Sequence, residues 1–369
     1  MSSYIQQIST VVPDISYRQE FLCEQMKNYV AGDDRRLKHL IHRIYHNSGI
    51  EKRHSVIPDF VPDNGEAPFY FQEGQSVNQP TTGQRNNRFT RHANPLLEQV
   101  GQKLLKSSAD IDRTDITHVI TVSCTGFFAP GPDLSVVRTL GLDHNTRRYN
   151  LGFMGCYAAL PALQLAQTIC EADPDSCVMI ICLELCSLHF QITQDYDNLV
   201  AASLFADGAA GALVSGKSHP GTDPQLRMDH FHTTYIPEGE EDMAWSIGDS
   251  GFEMILSSYV PKIIESNLRQ ALEPLDHKIS PDPEDVAYWG LHPGGKAIID
   301  KLSSNFDLEP SQLSASREVL ADYGNMSSAT ILFVMQHIME HSNNNSGAQL
   351  LPLAFGPGLT IESGLFTIV

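Results

Sequence analysis

Basic residues are scarce in this chain, and several features that mark common classes of protein are missing from it. Its 369 residues include 25 Lys and Arg against 44 Asp and Glu, which gives a formal net charge of −19 with neutral histidines. A field of that sign repels nucleic acids and anionic membranes, so we expect neither as a partner. No apolar run approaches the length of a membrane span, and the first residues lack the basic start and apolar core of a signal peptide.

Paired cysteines are also missing, although the chain has seven cysteines. None of them forms a C-x-x-C pair or a metal-finger spacing, so the sequence predicts no metal site. Cys170, Cys177, Cys182 and Cys186 lie in or beside apolar segments, where a free thiol usually packs as a small hydrophobic group. We therefore expect the protein in a reducing cytoplasm.

Segments typical of strands and of helices alternate through both halves of the chain, which predicts an α/β protein with mainly parallel central strands. The polar stretch 217–225 predicts a boundary between two halves, residues 1–217 and 218–369. A long loop is predicted at 63–89, and the end of the chain predicts two strands around a glycine-rich bend. The runs that predict strands are 117–123, 177–184, 210–216 and 285–292, and those that predict helices are 18–30, 95–105, 261–272 and 327–341.

Three sharp turns of small residues each present a chemically useful side chain next to a predicted strand or helix. They are GFMGCYA with Cys156, YWGLHPGGKA with His292, and DYGNMSSAT with Asn325. Such a set supplies a thiolate nucleophile, a group that donates or takes a proton, and a neutral hydrogen-bond donor. Each residue alone also has a structural explanation, because cysteine packs, histidine occurs in turns and asparagine caps helices.

The glycine-rich stretches do not match nucleotide-binding motifs. FADGAAGALVSG lacks the G-x-G-x-x-G spacing and precedes a strand where a dinucleotide fingerprint would open a helix. FGPGLT lacks the lysine of a phosphate-binding loop and also precedes a strand. The sequence therefore favours neither a nicotinamide cofactor nor a bound nucleotide.

Six separated motifs resemble those of the type III polyketide synthases, the branch of the thiolase superfamily that is similar to chalcone synthase. The resemblance covers nearly the whole chain, looks microbial more than plant, and is strongest from residue 117 onward. It implies the five-layered αβαβα thiolase fold in two similar halves, a homodimer, and coenzyme A thioesters as substrates without any further cofactor. The motifs are GFMGCYA, ELCSLHFQ, SLFADGAAGALV, WGLHPGGKAIID, YGNMSSATILFV and FGPGLTIES.

The resemblance also implies a role for each member of the Cys, His and Asn set. Cys156 matches the nucleophile that takes a starter acyl group from coenzyme A, and an imidazolium at His292 would hold it as thiolate. His292 and Asn325 match the pair that binds the thioester carbonyl of malonyl-CoA while CO₂ leaves. The expected product is a cyclised polyketide, such as a pyrone, a resorcinol or a related aromatic compound.

Further residues match positions around the substrate in this family. Phe190 matches the aromatic gatekeeper between tunnel and cavity, and Ser327 falls in the cavity wall near the nucleophile. Arg43 matches a cation at the tunnel mouth that binds the phosphates of coenzyme A. The lysines that plant members carry around it are absent here, and we expect Lys296 to share the role.

Four positions where this chain departs from the plant enzymes bear on the product. Ala129 replaces a methionine on a loop that reaches across the dimer, and Trp245 replaces a glycine of the elongation cavity. Met254 replaces a second gate phenylalanine. Cys124 falls where many bacterial members carry a second cysteine in the cavity.

Two other classes of enzyme share the order Cys, His, Asn along the chain. A papain-like cysteine hydrolase places its cysteine near the mature N-terminus after a secretory signal, and the local signature around that cysteine is missing here. A ketoacyl synthase III-like enzyme of fatty-acid initiation carries the same set but takes substrates from a carrier protein. The acidic chain and its FGPGLTIES ending favour the polyketide synthase over both.

Overall fold

A computed structural model describes residues 2–62, 65–72, 76–108, 110–218, 224–257, 259–276, 286–342 and 345–369. The strands are β1 (Ser3–Val11), β2 (Ser16–Arg18), β3 (Lys52–His54), β4 (His118–Ser123), β5 (Arg147–Gly152), β6 (Cys177–Leu185), β7 (Asp207–Ser215), β8 (Leu226–Tyr235), β9 (Met243–Gly248), β10 (Gly251–Leu256), β11 (Tyr288–Leu291), β12 (Gln349–Gly356) and β13 (Thr360–Ile368). The helices are α1 (Gln19–Met26), α2 (Arg35–His46), α3 (Thr82–Ser107), α4 (Pro132–Leu140), α5 (Ala159–Ala172), α6 (Tyr196–Leu204), α7 (Val260–Asp276), α8 (Lys296–Asn305), α9 (Ser314–Tyr323) and α10 (Thr330–His341).

Nine strands form one continuous sheet in the order β11-β12-β13-β8-β1-β7-β6-β4-β5. Within the described residues, β4 pairs parallel with β5 and β6, and β11 with β12, while the pairs in the middle of the sheet run antiparallel. The expectation of mainly parallel central strands is therefore wrong. Helical crossovers connect the parallel strands at the two ends of the sheet, whereas β12 and β13 reverse direction through a short bend.

The helices divide the molecule into five layers, because each half of the long sheet has helices on both of its faces. A buried cluster between the two halves joins α5 and α10 to both parts of the sheet. A second cluster packs α3 and α4 outside β4, β6 and β7, and a third packs α7, α8 and α9 outside β11, β12 and β13. α5 and α10 are mostly apolar, which fits the central layer, and polar residues such as Gln164 and Glu340 lie on their exposed sides.

The segment predicted as a loop at 63–89 ends in helix, because α3 begins at Thr82. Thr81 caps this helix in a capping box, in which its side chain accepts from the Gln84 N–H and the Gln84 side chain accepts from the Thr81 N–H. The T-x-x-Q spacing marks this helix start in the sequence, within a stretch whose polar composition is typical of a loop. Residues 63, 64 and 73–75 of that segment lie outside the described part.

The remaining expectations for secondary structure agree with the structure to within a few residues. β4, β6, β7 and β11 cover the runs predicted as strands, and α7 and α10 cover the two helices predicted in the second half. β12 and β13 form the antiparallel pair expected at the end of the chain. The predicted boundary at 217–225 includes residues 219–223, which lie outside the described residues, so it stays a prediction.

None of the described helices is both long and apolar enough to cross a bilayer. No group of three or more His, Cys, Asp or Glu side chains among the described residues is arranged to hold a metal ion.

Candidate active site

One cavity of about 310 Å³ brings together the three residues that the sequence singled out for chemistry, Cys156, His292 and Asn325. The three come from distant parts of the chain: Cys156 follows β5, His292 follows β11, and Asn325 follows α9 and forms a β-bridge with Phe205 just before β7. Five further residues predicted to line a substrate cavity also line this one, namely Cys124, Phe190, Trp245, Met254 and Ser327.

Cys156 lies in a tight turn, and the residue directly before it must be glycine. Gly155 has φ +94°, and a Cβ placed on it would lie 2.2 Å from Cδ of Pro357. The Ala158 N–H closes the turn on the Gly155 carbonyl at 3.1 Å, and α5 begins at the next residue. The thiol is therefore fixed at the positive end of a buried helix, where a negative sulfur is stabilised.

Burial opposes the charged forms of both titratable partners in this cavity. It raises the pKa of Cys156 to about 12, against the influence of Ser327 and Asn325, whose side chains favour the thiolate. It also lowers the pKa of His292 to about 3. A thiolate on Cys156 and an imidazolium on His292 can form here only if each charge compensates the other. No hydrogen bond joins the two side chains among the described contacts. The imidazolium–thiolate pair expected from the sequence stays a prediction.

His292 follows β11, and its main-chain N–H donates to the Leu353 carbonyl at 2.7 Å. Its side chain is 1% exposed, and both ring nitrogens lack a hydrogen-bond partner in the described part of the chain. A buried imidazole without partners is costly, since each unpaired polar atom loses its water without replacement. The ring is thus available to a ligand in the cavity.

Asn325 is held by main-chain hydrogen bonds on both sides. Its N–H donates to the Leu204 carbonyl at 2.9 Å, and its carbonyl accepts from the Ala206 N–H at 2.8 Å. The Ser327 N–H donates to Asn325 Oδ1 at 2.8 Å, and Ser327 itself adopts the left-handed region with φ +48°. The amide oxygen is therefore occupied, and the NH₂ group is the end that remains for Cys156 and the cavity.

A buried carboxyl group stands behind the nucleophile. Glu184 is fully buried on β6 and accepts hydrogen bonds from Thr125 Oγ1 at 2.8 Å and from the Ser328 hydroxyl. The Cys124 thiol lies 3.4 Å from Glu184 Oε1 and 3.3 Å from Ser327 Oγ, so it bridges the carboxyl group and the cavity wall. Burial raises the pKa of Glu184, and these donors oppose the rise.

Strands β9 and β10 form a hairpin, named here the wall hairpin, that covers one side of the cavity. Trp245 and Met254 face each other across it, and the Trp245 indole N–H donates to the Cys124 carbonyl at 2.9 Å. Sequence reasoning aligned both residues to the cavity but missed the hairpin. The turn signal D-S-G between MAWSIG and GFEMIL would have indicated it.

Phe205 and His189 are among the cavity-lining residues that the sequence did not single out. Phe205 packs in one buried cluster with Cys156 and Cys186, and Phe190 is packed against that cluster. His189 also lines the cavity, and its ring stacks on Phe252 with centroids 4.1 Å apart. His189 lies in the motif ELCSLHFQ and Phe205 in SLFADGAAGALV, but neither motif shows that these side chains reach the cavity, because that depends on the packing of distant segments.

Three residues with predicted roles do not line the cavity. Arg43 is exposed on α2. Lys296 is exposed at the first residue of α8, beside the cavity-lining Ala297. It also lies close to Gly49, since a Cβ placed on Gly49 would lie 3.2 Å from the Cβ of Lys296. Lys296 therefore lies between the cavity rim and the end of α2. Ala129 is exposed on the loop after β4.

Two family models together match nearly the whole chain. The model for the N-terminal domain of chalcone and stilbene synthases matches residues 2–219, and the model for their C-terminal domain matches residues 227–369.

Two curated proteins from microbes are similar to this chain over most of its length. The 1,3,6,8-tetrahydroxynaphthalene synthase of Streptomyces coelicolor is 31% identical over 324 residues, which are 88% of this chain and 81% of that protein. Probable polyketide synthase 1 of Dictyostelium discoideum is 29% identical over 98% of this chain. The chain spans only 11% of the length of the Dictyostelium protein.

Solved structures with the same fold cover the chain from end to end. The Streptomyces synthase, described as a bacterial type III polyketide synthase, superposes with a TM-score of 0.86 at 29% identity, covering 99% of both chains. PKS-I of the brown alga Ectocarpus siliculosus superposes with a TM-score of 0.92 at 27% identity, covering 100% of this chain and 98% of its own. These matches confirm the layered α/β fold that the sequence motifs predicted.

Proposed function

This chain belongs to the family of chalcone and stilbene synthases, the type III polyketide synthases, and we propose that Cys156, His292 and Asn325 are its catalytic residues. The enzyme is an acyltransferase that condenses acyl thioesters with loss of CO₂. The observation that carries the assignment is the single cavity that holds these three side chains, with a buried imidazole whose ring nitrogens have no partner among the described residues.

In the loading step, the Cys156 sulfur attacks the carbonyl carbon of a starter acyl-CoA. The bond to the coenzyme A sulfur breaks, a thioester forms on Cys156, and free coenzyme A leaves with the proton of the thiol. The N-terminal end of α5 and the contacts with Ser327 and Asn325 support the thiolate that this step needs.

In the extension step, malonyl-CoA binds with its thioester oxygen between His292 and Asn325. The bond to the carboxylate breaks, CO₂ leaves, and the electron pair forms an enolate whose charge lies on that oxygen. The ring N–H of His292 and the NH₂ of Asn325 donate hydrogen bonds to it. The enolate carbon then attacks the carbonyl carbon of the Cys156 thioester, and the bond to the Cys156 sulfur breaks, which leaves the lengthened chain as a thioester of coenzyme A. For another cycle the Cys156 sulfur attacks that thioester and coenzyme A leaves.

The shape of the cavity supports a small cyclised product, such as a pyrone, a resorcinol or a related aromatic compound. Phe190, Trp245, Met254 and Ser327 form much of its wall, and Cys124 lies behind the indole. The Streptomyces relative is named for a tetrahydroxynaphthalene. An aromatic wall of this kind limits how far the chain grows and how it folds before ring closure.

We propose that the phosphates of coenzyme A bind between Arg43 and Lys296. Both cations are exposed, and Lys296 lies between the cavity rim and the end of the helix that carries Arg43. Exposed cations suit an anion that must arrive and leave in every cycle. Acyl-CoA and malonyl-CoA are the substrates, and the reaction needs no other cofactor.

We propose that the protein is a homodimer. Each subunit would consist of two similar halves, residues 1–217 and 218–369. Strand β5 supports this assembly, because it is the last strand of the sheet, its side chains are mostly exposed, and no strand among the described residues pairs with its outer edge. An exposed edge strand invites pairing with another chain. Ala129, exposed near this edge, is the proposed residue that reaches towards the partner subunit.

The test is mass spectrometry of the products formed from a panel of acyl-CoA starters with malonyl-CoA. We expect cyclised polyketides from at least one starter, and none from Cys156→Ala. Products from a carrier-protein thioester alone, with no turnover of any acyl-CoA, would support the ketoacyl synthase instead.

A further inference from the structure

Among its contacts with the rest of the protein, the wall hairpin packs against a short segment that also lines the cavity. This segment is the turn Cys186–His189 together with Phe190, and all three of Cys186, His189 and Phe190 line the cavity. The position of the wall therefore depends on what holds the turn and the hairpin to the body of the molecule.

Arg85 of α3 holds the turn from behind. It is 1% exposed, and its Nη1 donates to the Leu188 carbonyl at 2.7 Å and to the Phe190 carbonyl at 3.1 Å. The same nitrogen lies 2.7 Å from the hydroxyl of Tyr70, which in turn donates to the Ser187 carbonyl at 3.0 Å. Three carbonyls of one turn are thus held by one buried guanidinium and its neighbour.

The tip of the hairpin rests on the same arginine. Gly251 has φ +115°, and a Cβ placed on it would lie 2.8 Å from Arg85 Nε. The Gly251 N–H donates to Thr82 Oγ1 at 2.8 Å, and the Thr82 N–H donates to the Asp249 carbonyl at 2.9 Å. The first turn of α3 therefore fixes both the turn and the hairpin tip.

His189 joins the two pieces of wall inside the cavity. The Phe252 N–H of β10 donates to its Nδ1 at 3.0 Å, so the proton is on Nε2, which donates to the Thr125 carbonyl at 2.7 Å. Its ring stacks on Phe252 and meets Trp245 edge-on with centroids 6.0 Å apart. A neutral imidazole is the side chain that can donate on one side and accept on the other.

We propose that Arg85 and His189 are positioning residues that fix the wall hairpin against the turn Cys186–His189 and thereby determine the chain length of the polyketide. The proposal rests on the proposed function and concerns the same cavity. Neither residue takes part in loading or in the loss of CO₂, since both events take place at Cys156, His292 and Asn325.

The guanidinium is needed because of its shape as well as its charge. Its planar fork presents several N–H donors in fixed directions and reaches Pro80, Tyr70, Leu188 and Phe190 at once. A lysine in this place keeps the charge but carries its donors on one rotating nitrogen. Arg85→Lys therefore frees part of the wall without removing the charge or the length of the side chain.

The experiment compares Arg85→Lys and His189→Gln with Arg88→Lys, a matched control one turn along α3 whose partner Glu66 lies away from the cavity. We expect the ratio of the main product to shorter or longer products to change by about tenfold in the first two, because small displacements of a reacting chain have large effects on rate. Malonyl-CoA decarboxylation should stay close to that of the wild type in Arg85→Lys and in Arg88→Lys.

The fluorescence of Trp245 reports directly on the wall hairpin. The chain has two tryptophans, so in a Trp289→Phe background the fluorescence comes from Trp245 alone. We expect acrylamide to quench Trp245 more strongly in Arg85→Lys and in His189→Gln than in Arg88→Lys. A merely stabilising residue would lower the melting temperature without changing either readout.

Unchanged product ratios and unchanged quenching in the folded variants would overturn the proposal. If Arg85→Lys does not fold, His189→Gln decides by the same two readouts. A wild-type protein that forms no polyketide from any starter contradicts the proposed function instead, and the quenching comparison then still tests whether the two residues fix the wall.

Discussion

Asn325 Oδ1 accepts a hydrogen bond from the Ser327 main-chain N–H at 2.8 Å, and this contact orients the amide group in the cavity. A main-chain N–H can only donate, so the oxygen must face Ser327 and the NH₂ must face the other way. The amide is thereby held as a donor towards Cys156 and any carbonyl group beside it. In an Asn325→Asp variant, the same contact would hold the carboxylate so that an acceptor oxygen lies where the NH₂ group was.

The orientation of Asn325 leads to the first prediction. Asn325→Asp keeps the contact with Ser327 but presents a carboxylate to the developing enolate, which should lower malonyl-CoA decarboxylation by at least about 10²-fold. His292→Gln should act in the same direction because it replaces the other donor. The assay measures CO₂ release beside the amount of radiolabelled starter bound to the protein.

Loading of the starter is the internal control of that assay. We expect it to fall less than decarboxylation in both variants, since Cys156 is unchanged. Equal losses of the two activities would count against the division of labour between the nucleophile and the two donors.

The second prediction concerns the nucleophile. Cys156→Ala should abolish product formation from every starter and leave the melting temperature nearly unchanged, because it removes the acyl acceptor and little volume. Polyketide output at the wild-type level from the folded variant would refute the mechanism.

A third prediction tests the pairing of Cys156 with His292. Burial acts against a thiolate, so alkylation by iodoacetamide below about pH 8.5 needs the compensating charge of the imidazolium. We expect the wild type to be labelled at lower pH than His292→Gln. Identical labelling curves for the two proteins would show that no ion pair forms.

Much of the fold was predictable because long segments have one clear period. β4, β6 and β7 are continuous apolar runs that are buried on both faces, and α10 is an apolar helix of the central layer. The direction of neighbouring strands was not predictable in the same way. It depends on which strands meet in the middle of the sheet, where β1 from the start of the chain pairs with β8 from the start of its second half.

For the site, the sequence indicated residues in tight turns and missed residues placed by packing. Gly155 and the Asn325 turn are local constraints that short motifs reveal. His189 and Arg85 act through carbonyl groups that lie about 60 to 105 positions away along the chain. Nothing in the local sequence of either residue specifies those partners.

The fourth prediction uses the protonation state of His189. Burial lowers its pKa from 6.5 to about 4, and its Nδ1 already accepts a hydrogen bond. Between these two pH values the unfolded chain binds a proton that the folded chain does not, so stability falls as the pH falls, by about 1.4 kcal/mol per pH unit at most. Urea unfolding of the wild type and of His189→Gln at pH 7 and pH 5 measures the difference.

The pH dependence of the unfolding free energies of the wild type and of His189→Gln decides this prediction. The difference in unfolding free energy between the two proteins should narrow as the pH falls, since only the wild type carries the imidazole. A difference that is constant between pH 7 and pH 5 would mean that His189 titrates normally in the folded protein.

The last prediction concerns Trp245, whose indole N–H donates to the Cys124 carbonyl and whose ring forms part of the cavity wall. Trp245→Gly opens space where the growing chain folds, so we expect longer or differently cyclised products with decarboxylation retained. Trp245→Phe keeps a ring without the N–H and separates the effect of volume from that of the hydrogen bond. Trp289→Phe, in the buried core, is the control for loss of a large side chain and should change stability alone. If Trp245→Gly lowers the melting temperature and leaves the product ratios as in the wild type, the indole only packs, and the cavity is limited by other residues.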